Sequence, residues 1–394
     1  MLFRSLAAVL RAIAGDGSAA LHGGSVAADI VARVRGHARN PGRLSLADLS
    51  AYQALEREPL CTDWALIYRV CGMPPPSSGH VTMMQILGLL AQRDALSPAP
   101  ALQTAMQAAV ASDASAALPT ATWLHTYVEA SRLAFADRAQ YLADPAFTAP
   151  PSGGWASLLD DAYLHRRAAL IGAQAMRSAP AGHPGDPGLS PRAQAPQPEQ
   201  PEFGTSHVSI VDGAGHALAM TTTIEYAFGT GVLSDGGTGL AGGFLLNNQL
   251  TDFSFAPADA AGLPIANRVQ PGKRPRSSMT PTLVFDRRDG RLLMSLGSAG
   301  GPAIIHHTAK ALIGSLAWGL DLQSAFGLPN VGTFEALVVL ESGRFPAATL
   351  QALKDRGHPV READFASGLQ GFQRASGGWL GAADPRREGA ALGD

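Results

Sequence analysis

Apolar positions change their spacing partway along the chain. In the first half they recur three and four residues apart, as in Leu6, Val9, Leu10 and Ile13. This predicts helices over roughly 2–14, 26–37, 81–95, 120–138 and 156–172. A short strand is predicted at 64–70. MPPPSSGH (73–80) follows it as an irregular loop, because consecutive prolines fix φ and remove backbone donors. From residue 205 the spacing becomes two. TSHVSIVD (205–212) and HALAMTTT (216–223) alternate, and DGAG (212–215) between them predicts a tight hairpin. Further strands are predicted at 243–247, 281–286 and 291–297, with helices at 303–318 and 347–356. Two layers of strand with helices outside suit this order.

Between the two patterns lies a stretch of a third kind. Residues 180–201 hold seven prolines among Ala, Gly, Gln and Ser, and the stretch runs up to Gly204. Such a segment forms neither helix nor central strand and is expected to be an exposed linker, covering about 175–204. The chain therefore divides into a helix-rich part, 1–204, and a strand-rich part, 205–394.

Composition adds exclusions. Of 394 residues, 46% are apolar and 16% charged, with a net charge of −2, so a sizeable core is expected rather than disorder. No run of Lys or Arg marks a nucleic-acid or anionic-membrane surface. No apolar run approaches the ~18 residues of a membrane span. The start faintly resembles a signal peptide, but Arg11 interrupts its apolar region, and helical spacing favours an amphipathic helix ending near Gly15. The two cysteines, Cys61 and Cys71, flank the strand-like run 64–70. They read either as a disulfide, which would favour an oxidising compartment, or as two free buried thiols. His306 and His307 lie in the apolar IIHHTAKALI and point to packing rather than a metal; no metal site and no cofactor are expected.

Four segments could carry chemistry. A linker ending in Gly204-Thr205 before a regular strand is one. If that peptide bond is cut, Thr205 gains an α-amine, of pKa about 7.7–8.0, beside its hydroxyl; the amine can serve as base to an otherwise poor nucleophile. Alone, a Thr opening a strand is simply a β-branched residue in its preferred place. PGKRPRSSMTPT (271–282) is a constrained loop whose Ser277 and Ser278 could bind a carboxylate, or could cap local backbone. LGSAGGPA (296–303) runs strand, Gly-Gly, helix, which suits an oxyanion hole and lacks the ending of a P-loop. FLLNNQLTDF (244–253) brings Asn247, Asn248, Gln249 and Asp252 to a strand end, as turn chemistry or as a grip on an amine.

Taken together, TSHVSIVD (205–212), TTTIEYAFGTG (221–231), GFLLNNQLTDFS (243–254), QPGKRPRSSMTPT (270–282) and GSAGG (297–301) resemble the γ-glutamyltransferase family. MPPPSSG (73–79), EASRLAFADRAQYLADP (129–145) and ADPRREGAA (383–391) extend the resemblance over nearly the whole chain. The resemblance implies an α+β, N-terminal-nucleophile αββα sandwich: two stacked antiparallel sheets between helical layers. It implies a precursor that cleaves itself at Gly204–Thr205 into two fragments that remain partners. Thr205 then attacks the γ-amide of glutathione or a similar donor, and the γ-glutamyl ester passes to water, an amino acid or a peptide. By the same resemblance Thr223 orients that hydroxyl or assists autocleavage, and the N–H groups of Gly300 and Gly301 form the oxyanion hole. Ser277 and Ser278 hold the α-carboxylate; Glu225, Gln249 and Asp252 hold the α-ammonium. The family has Asn or Glu where Glu225 stands, and an acidic pair suits an ammonium. Export to the periplasm or medium is implied as well.

The sequence also departs from that pattern. His80 stands where the family usually has a second Gly, and 234–242 is a longer loop expected near the site. The family usually carries a further N-terminal portion, with a secretion signal, sheet strands and an Arg that pairs with the α-carboxylate; no residue here matches that Arg. The chain is accordingly expected to be a fragment, a mis-assigned start or half of a split gene, ahead of a shortened or inactive paralogue. The alternative activity is that of a related amidase on another acyl group, such as glutaryl or poly-γ-glutamate.

Overall fold

The computed structural model describes residues 3–97, 119–185, 194–198 and 204–393. Of the expected linker, residues 186–193 and 199–203 lie outside the described residues. The chain forms two compact units, Met1–Arg57 with Thr223–Gln249, and Glu58–Thr222 with Leu250–Asp394.

The first unit is built on the amphipathic helices Arg4–Asp16 and Gly24–Arg35, close to where the spacing predicts them. Their apolar stripes meet in a small core of Val9, Val26, Ile30 and Leu246. The strand expected at 243–247 shrinks to Phe244–Leu245, paired with Leu233–Ser234. The loop 234–242 packs on the helices: Ser234 donates to Asp29 at 2.7 Å, and a Cβ at Gly236 would lie 2.6 Å from Val9.

The second unit holds the main core. Its six-stranded sheet is antiparallel throughout, in the order Leu60–Trp64, Tyr68–Gly72, Thr282–Asp286, Leu292–Gly297, Gln370–Ala375, Gly378–Ala383. Helices Gly79–Ala91 and Ala303–Leu312 cover one face, where Val284, Met294 and Leu296 point, and Ala121–Tyr141 packs against Gly79–Ala91. Gly79–Ala91 is buried along nearly its whole length, which is why GHVTMMQILGLLA is apolar all round. The hairpin Ser206–Val211/Ala217–Thr222 lies on the opposite face, over Leu292–Gly297 and Gln370–Ala375. Its inner side is polar: Ser295 donates to Ser209 at 2.9 Å, and His207 pairs with Thr221 at 2.8 Å. Its outer side presents Val208, Ile210, Leu218 and Met220, all exposed. A smaller mixed sheet, Val331–Phe334, Leu337–Glu341 and Val360–Ala363, completes the unit.

Several expectations need correction. The single strand at 64–70 is a hairpin centred on that run, with Ala65 and Leu66 at φ +50° and +66° in its turn. The ends of the segment therefore meet, and the Cys61 and Cys71 sulfurs are bonded across the pair. The helix expected at 156–172 is broken into a 3-10 turn, Trp155–Leu159, and a helix, Asp161–Ala168, capped by Asp160. The helix at 303–318 ends its α geometry at Leu312 and continues as a π turn, Ile313–Ala317. The strands at 331–341, 360–363 and 370–383 were not expected at all.

Candidate active site

Thr205 opens the hairpin strand, and the backbone around it is strained. Gly204 has φ +92° and Thr205 φ +124°. Glycine takes such values freely, but a β-branched residue does not, and a conformation of this kind costs about 1–3 kcal/mol.

The hairpin's stacking register tells where Thr205 lies. Ser209 sits over Ser295, and the His207 ring sits over Gly297, where a Cβ would come within 2.4 Å of it. Side chains on one face of a strand recur every two residues, and the two strands run in opposite senses. Thr205 is the next residue on that face of the hairpin strand, on the side toward which Leu292–Gly297 runs out into Ser298-Ala299-Gly300-Gly301. Burial pushes the His207 imidazole down to about 4, so it stays neutral between the layers.

The Leu292–Gly297 strand leads into the Ala303–Leu312 helix through Ser298-Ala299-Gly300-Gly301-Pro302. Gly300 and Gly301 have φ +131° and +56°, values that only glycine adopts cheaply. Two consecutive N–H groups ahead of a helix N-terminus can accept a developing negative charge. Neither enters a backbone hydrogen bond among the described residues.

Ser277 and Ser278 are held by the proline loop at 73–79. Ser78 donates its N–H and hydroxyl to the Ser277 carbonyl, at 2.8 and 2.7 Å, and Ser277 N–H donates to Pro76. The motif's basic residues pin the loop as well. Lys273 donates to the Ala266 carbonyl at 2.6 Å, and Arg274 N–H donates to Asp144 at 2.8 Å. Burial, with Arg268 nearby, brings the Lys273 ammonium down to about 8.

Two residues that sequence reasoning missed support this group. Arg138, buried on the Ala121–Tyr141 helix, donates to Ser78 at 2.8 Å and to the Ser278 hydroxyl at 2.5 Å. It thus puts a guanidinium directly behind the serine expected to meet a carboxylate. Asn267, fully buried, donates to the Asp252 carbonyl at 2.7 Å and accepts from Arg276 N–H at 2.9 Å. Arg138 lies inside the EASRLAFADR motif, and a charged residue on a buried helical stripe was the available signal; Asn267 gave none.

Thr223, Glu225 and Gln249 belong to the first unit. Thr223 stands one residue beyond its strand, and its hydroxyl accepts from Glu225 N–H at 2.8 Å. Glu225 has φ +75°. Asn247 and Asn248 are turn chemistry there: Asn247 donates to the Thr223 carbonyl at 3.2 Å, and Asn248 accepts from Tyr226 N–H at 2.9 Å. His80 is buried against Gly72 and shares a hydrogen bond with Thr62 at 3.1 Å. His306 is held by Tyr127 and Thr333, and no cluster of three metal-ligating side chains occurs among the described residues.

The chain is similar to known proteins. A family model described as Gamma-glutamyltranspeptidase matches residues 1–394. The glutathione hydrolase proenzyme of Escherichia coli (strain K12) is 33% identical over 389 residues, covering 97% of this chain and 60% of that protein. The acylase ACY 1 proenzyme of Pseudomonas sp. (strain V22) is 32% identical over 385 residues, with 97% and 60% covered. The chain thus spans about three-fifths of the length of these relatives. The crystal structure of cephalosporin acylase from Bacillus halodurans superposes with a TM-score of 0.75 at 23% identity, over 98% of this chain and 62% of that one; this likeness concerns the fold alone.

Proposed function

The chain belongs to the γ-glutamyltranspeptidase family and has its α+β N-terminal-nucleophile fold; from that premise we propose that it acts in γ-glutamyl transfer and hydrolysis, with Thr205 as nucleophile. The observation that carries this is the strained Gly204–Thr205 linkage at the head of a hairpin strand stacked on Ser295 and Gly297, the strand that leads into Gly300-Gly301. Cleavage there frees the Thr205 amine, which takes the proton of the Thr205 hydroxyl as that hydroxyl attacks the γ-amide carbonyl. Gly300 and Gly301 N–H groups receive the oxyanion, and the amine returns the proton to the leaving group. Ser277 and Ser278, backed by Arg138, take the α-carboxylate. Glu225, Gln249 and Asp252 take the α-ammonium. Thr223 orients the nucleophile or assists the cut, which separates 1–204 from 205–394. Glutathione fits as donor, and water, an amino acid or a peptide as acceptor. The Cys61–Cys71 disulfide supports a periplasmic or secreted setting. No helix among the described residues is long and apolar enough to cross a membrane.

The likeness to an acylase gives a second acyl group a fair test. A carboxylate facing the ammonium forms a charge-assisted hydrogen bond worth about 1.5–3 kcal/mol, so γ-glutamyl-p-nitroanilide should exceed glutaryl-p-nitroanilide in kcat/KM by about tenfold or more. The reverse preference would assign the acylase reading. Gly300→Ala provides a check on the oxyanion donors. Its Cβ would meet the His307 ring at 3.0 Å on a φ of +131°. The expected outcome is a fall in kcat of about 10²-fold with KM nearly unchanged. Steady-state kinetics with the parent and the variant decide it.

A further inference from the structure

His307 is a buried histidine that the reaction as described does not use, and it sits beneath the glycine pair. Its exposure is 1%. Nδ1 faces the Ala299 carbonyl at 3.3 Å, with the Ser298 hydroxyl at 3.5 Å. Nε2 has no hydrogen-bond partner among the described residues. A carbonyl oxygen can only accept, so Nδ1 must carry the ring's proton toward it, and Nε2 keeps its lone pair. Burial, followed by the Lys310 charge, holds the imidazole well below its usual range, which keeps the ring in this singly protonated form.

The carbonyl in question matters. The Ala299 C=O and the Gly300 N–H are the two ends of one peptide plane. A second donor meets the same oxygen, because the Ser298 hydroxyl donates to Ala299 at 2.8 Å. Ser298 is itself held by the Gly368 N–H at 3.2 Å, and Ala299 N–H returns to the Gly368 carbonyl at 3.3 Å. Donors on a carbonyl fix the plane of its peptide and draw electron density from the attached N–H, which strengthens that N–H as a donor. His307 also closes off the space behind Gly300, where a Cβ would lie 3.0 Å from Cε1 and 3.1 Å from Nδ1.

We propose that His307 is a positioning residue of the oxyanion site: its Nδ1–H, with the Ser298 hydroxyl, holds and polarises the Ala299–Gly300 peptide so that the Gly300 N–H is aimed at the reacting oxygen. This rests on the reading of Gly300 as an oxyanion donor. It accounts for a histidine being kept where Nε2 is buried without a hydrogen-bond partner among the described residues, a cost that an apolar side chain there would not carry.

Two amides of similar polarity separate this role from packing. In His307→Asn the side-chain amide replaces Nδ1 and keeps a donor for Ala299. In His307→Gln the amide reaches the Nε2 position and takes the donor away. The Gln variant should lose about tenfold in kcat at unchanged KM, with cleavage at Gly204–Thr205 slowed alongside, whereas the Asn variant should stay within about threefold of the parent. With ¹⁵N-glycine labelling, the Gly300 amide nitrogen should shift upfield in the Gln variant only. With ¹⁵N-histidine labelling of the unaltered protein, His307 should be the Nδ1–H tautomer. Equal losses in both variants, an unmoved Gly300 signal or an Nε2–H tautomer each overturn the proposal. If the unaltered protein neither cuts itself nor turns over γ-glutamyl-p-nitroanilide, the reading of Gly300 fails. The tautomer and the Gly300 signal then still decide whether His307 polarises that peptide, and should neither amide variant fold, the tautomer alone decides it.

Discussion

Thr205→Ala should remain a single chain of 40.7 kDa and show no γ-glutamyl-p-nitroanilide hydrolysis above background. Two separate losses produce this result. Without the hydroxyl nothing attacks the Gly204 carbonyl, so the α-amine that would serve as base is never freed. Without the hydroxyl there is also no atom to carry the acyl group. Loss of a nucleophile from a unit that acts together costs on the order of 10³-fold or more, and here autocleavage fails with it. Thr205→Ser keeps the oxygen and should still cut, more slowly, because serine lacks the β-branch that restricts χ1. Gel electrophoresis after purification, followed by a progress curve with the chromogenic donor, separates the two substitutions. Efficient cutting in the alanine variant would remove Thr205 from the account.

The second large effect concerns stability. Asp137 is fully buried on the Ala121–Tyr141 helix and collects four donors: Gln85 at 2.6 Å, Tyr163 at 2.7 Å, Gly182 N–H at 2.7 Å and Arg167 at 3.3 Å. Burial pushes its carboxyl above the ordinary range, against the pull of Arg167 and the hydrogen bonds. Asp137→Ala leaves Arg167, itself buried, without its carboxylate, and removes the acceptor that Gln85, Tyr163 and Gly182 share. Removing one partner of a buried ion pair costs about 3–5 kcal/mol. The urea midpoint should drop accordingly with the slope unchanged, since the same surface is exposed on unfolding. A midpoint within experimental error of the parent's would mean that this network does not hold the helix in place. Such clamping explains why so charged a segment as EASRLAFADRAQYLADP occurs in a buried helix. Glu129 pairs with Arg132 at 2.8 Å, Arg138 reaches Ser78 and Ser278, and Asp144 holds Arg274.

How much of this the sequence disclosed depended on where each signal resides. The hairpin after Thr205 was legible because its alternation is strict and its turn contains glycines. The Cys61–Cys71 hairpin was not, because Ala65 and Leu66 take left-handed values without any Gly, Asn or Pro to mark the turn. The closing hairpin, 370–383, was hidden by Gly371, Gly378 and Gly381, which weaken strand propensity while allowing close packing; a Cβ at Gly371 would lie 2.5 Å from the Ser295 carbonyl. Helix breaks at 160 and 312 depend on a cap and on tertiary packing, which periodicity does not register. At the candidate site, the residues proposed from contiguous motifs were Thr205, Ser277, Ser278, Gly300 and Gly301. Arg138 left only the trace of a charged residue on a buried helical stripe, and Asn267 and His307 could not be named, since each acquires its part from a segment distant in sequence.

The most direct test is intact mass with N-terminal sequencing of the purified protein. The account predicts two fragments of 204 and 190 residues, the second beginning Thr-Ser-His-Val. A protein that turns over γ-glutamyl-p-nitroanilide while remaining one uncut chain, or one cut at any other bond, would contradict it.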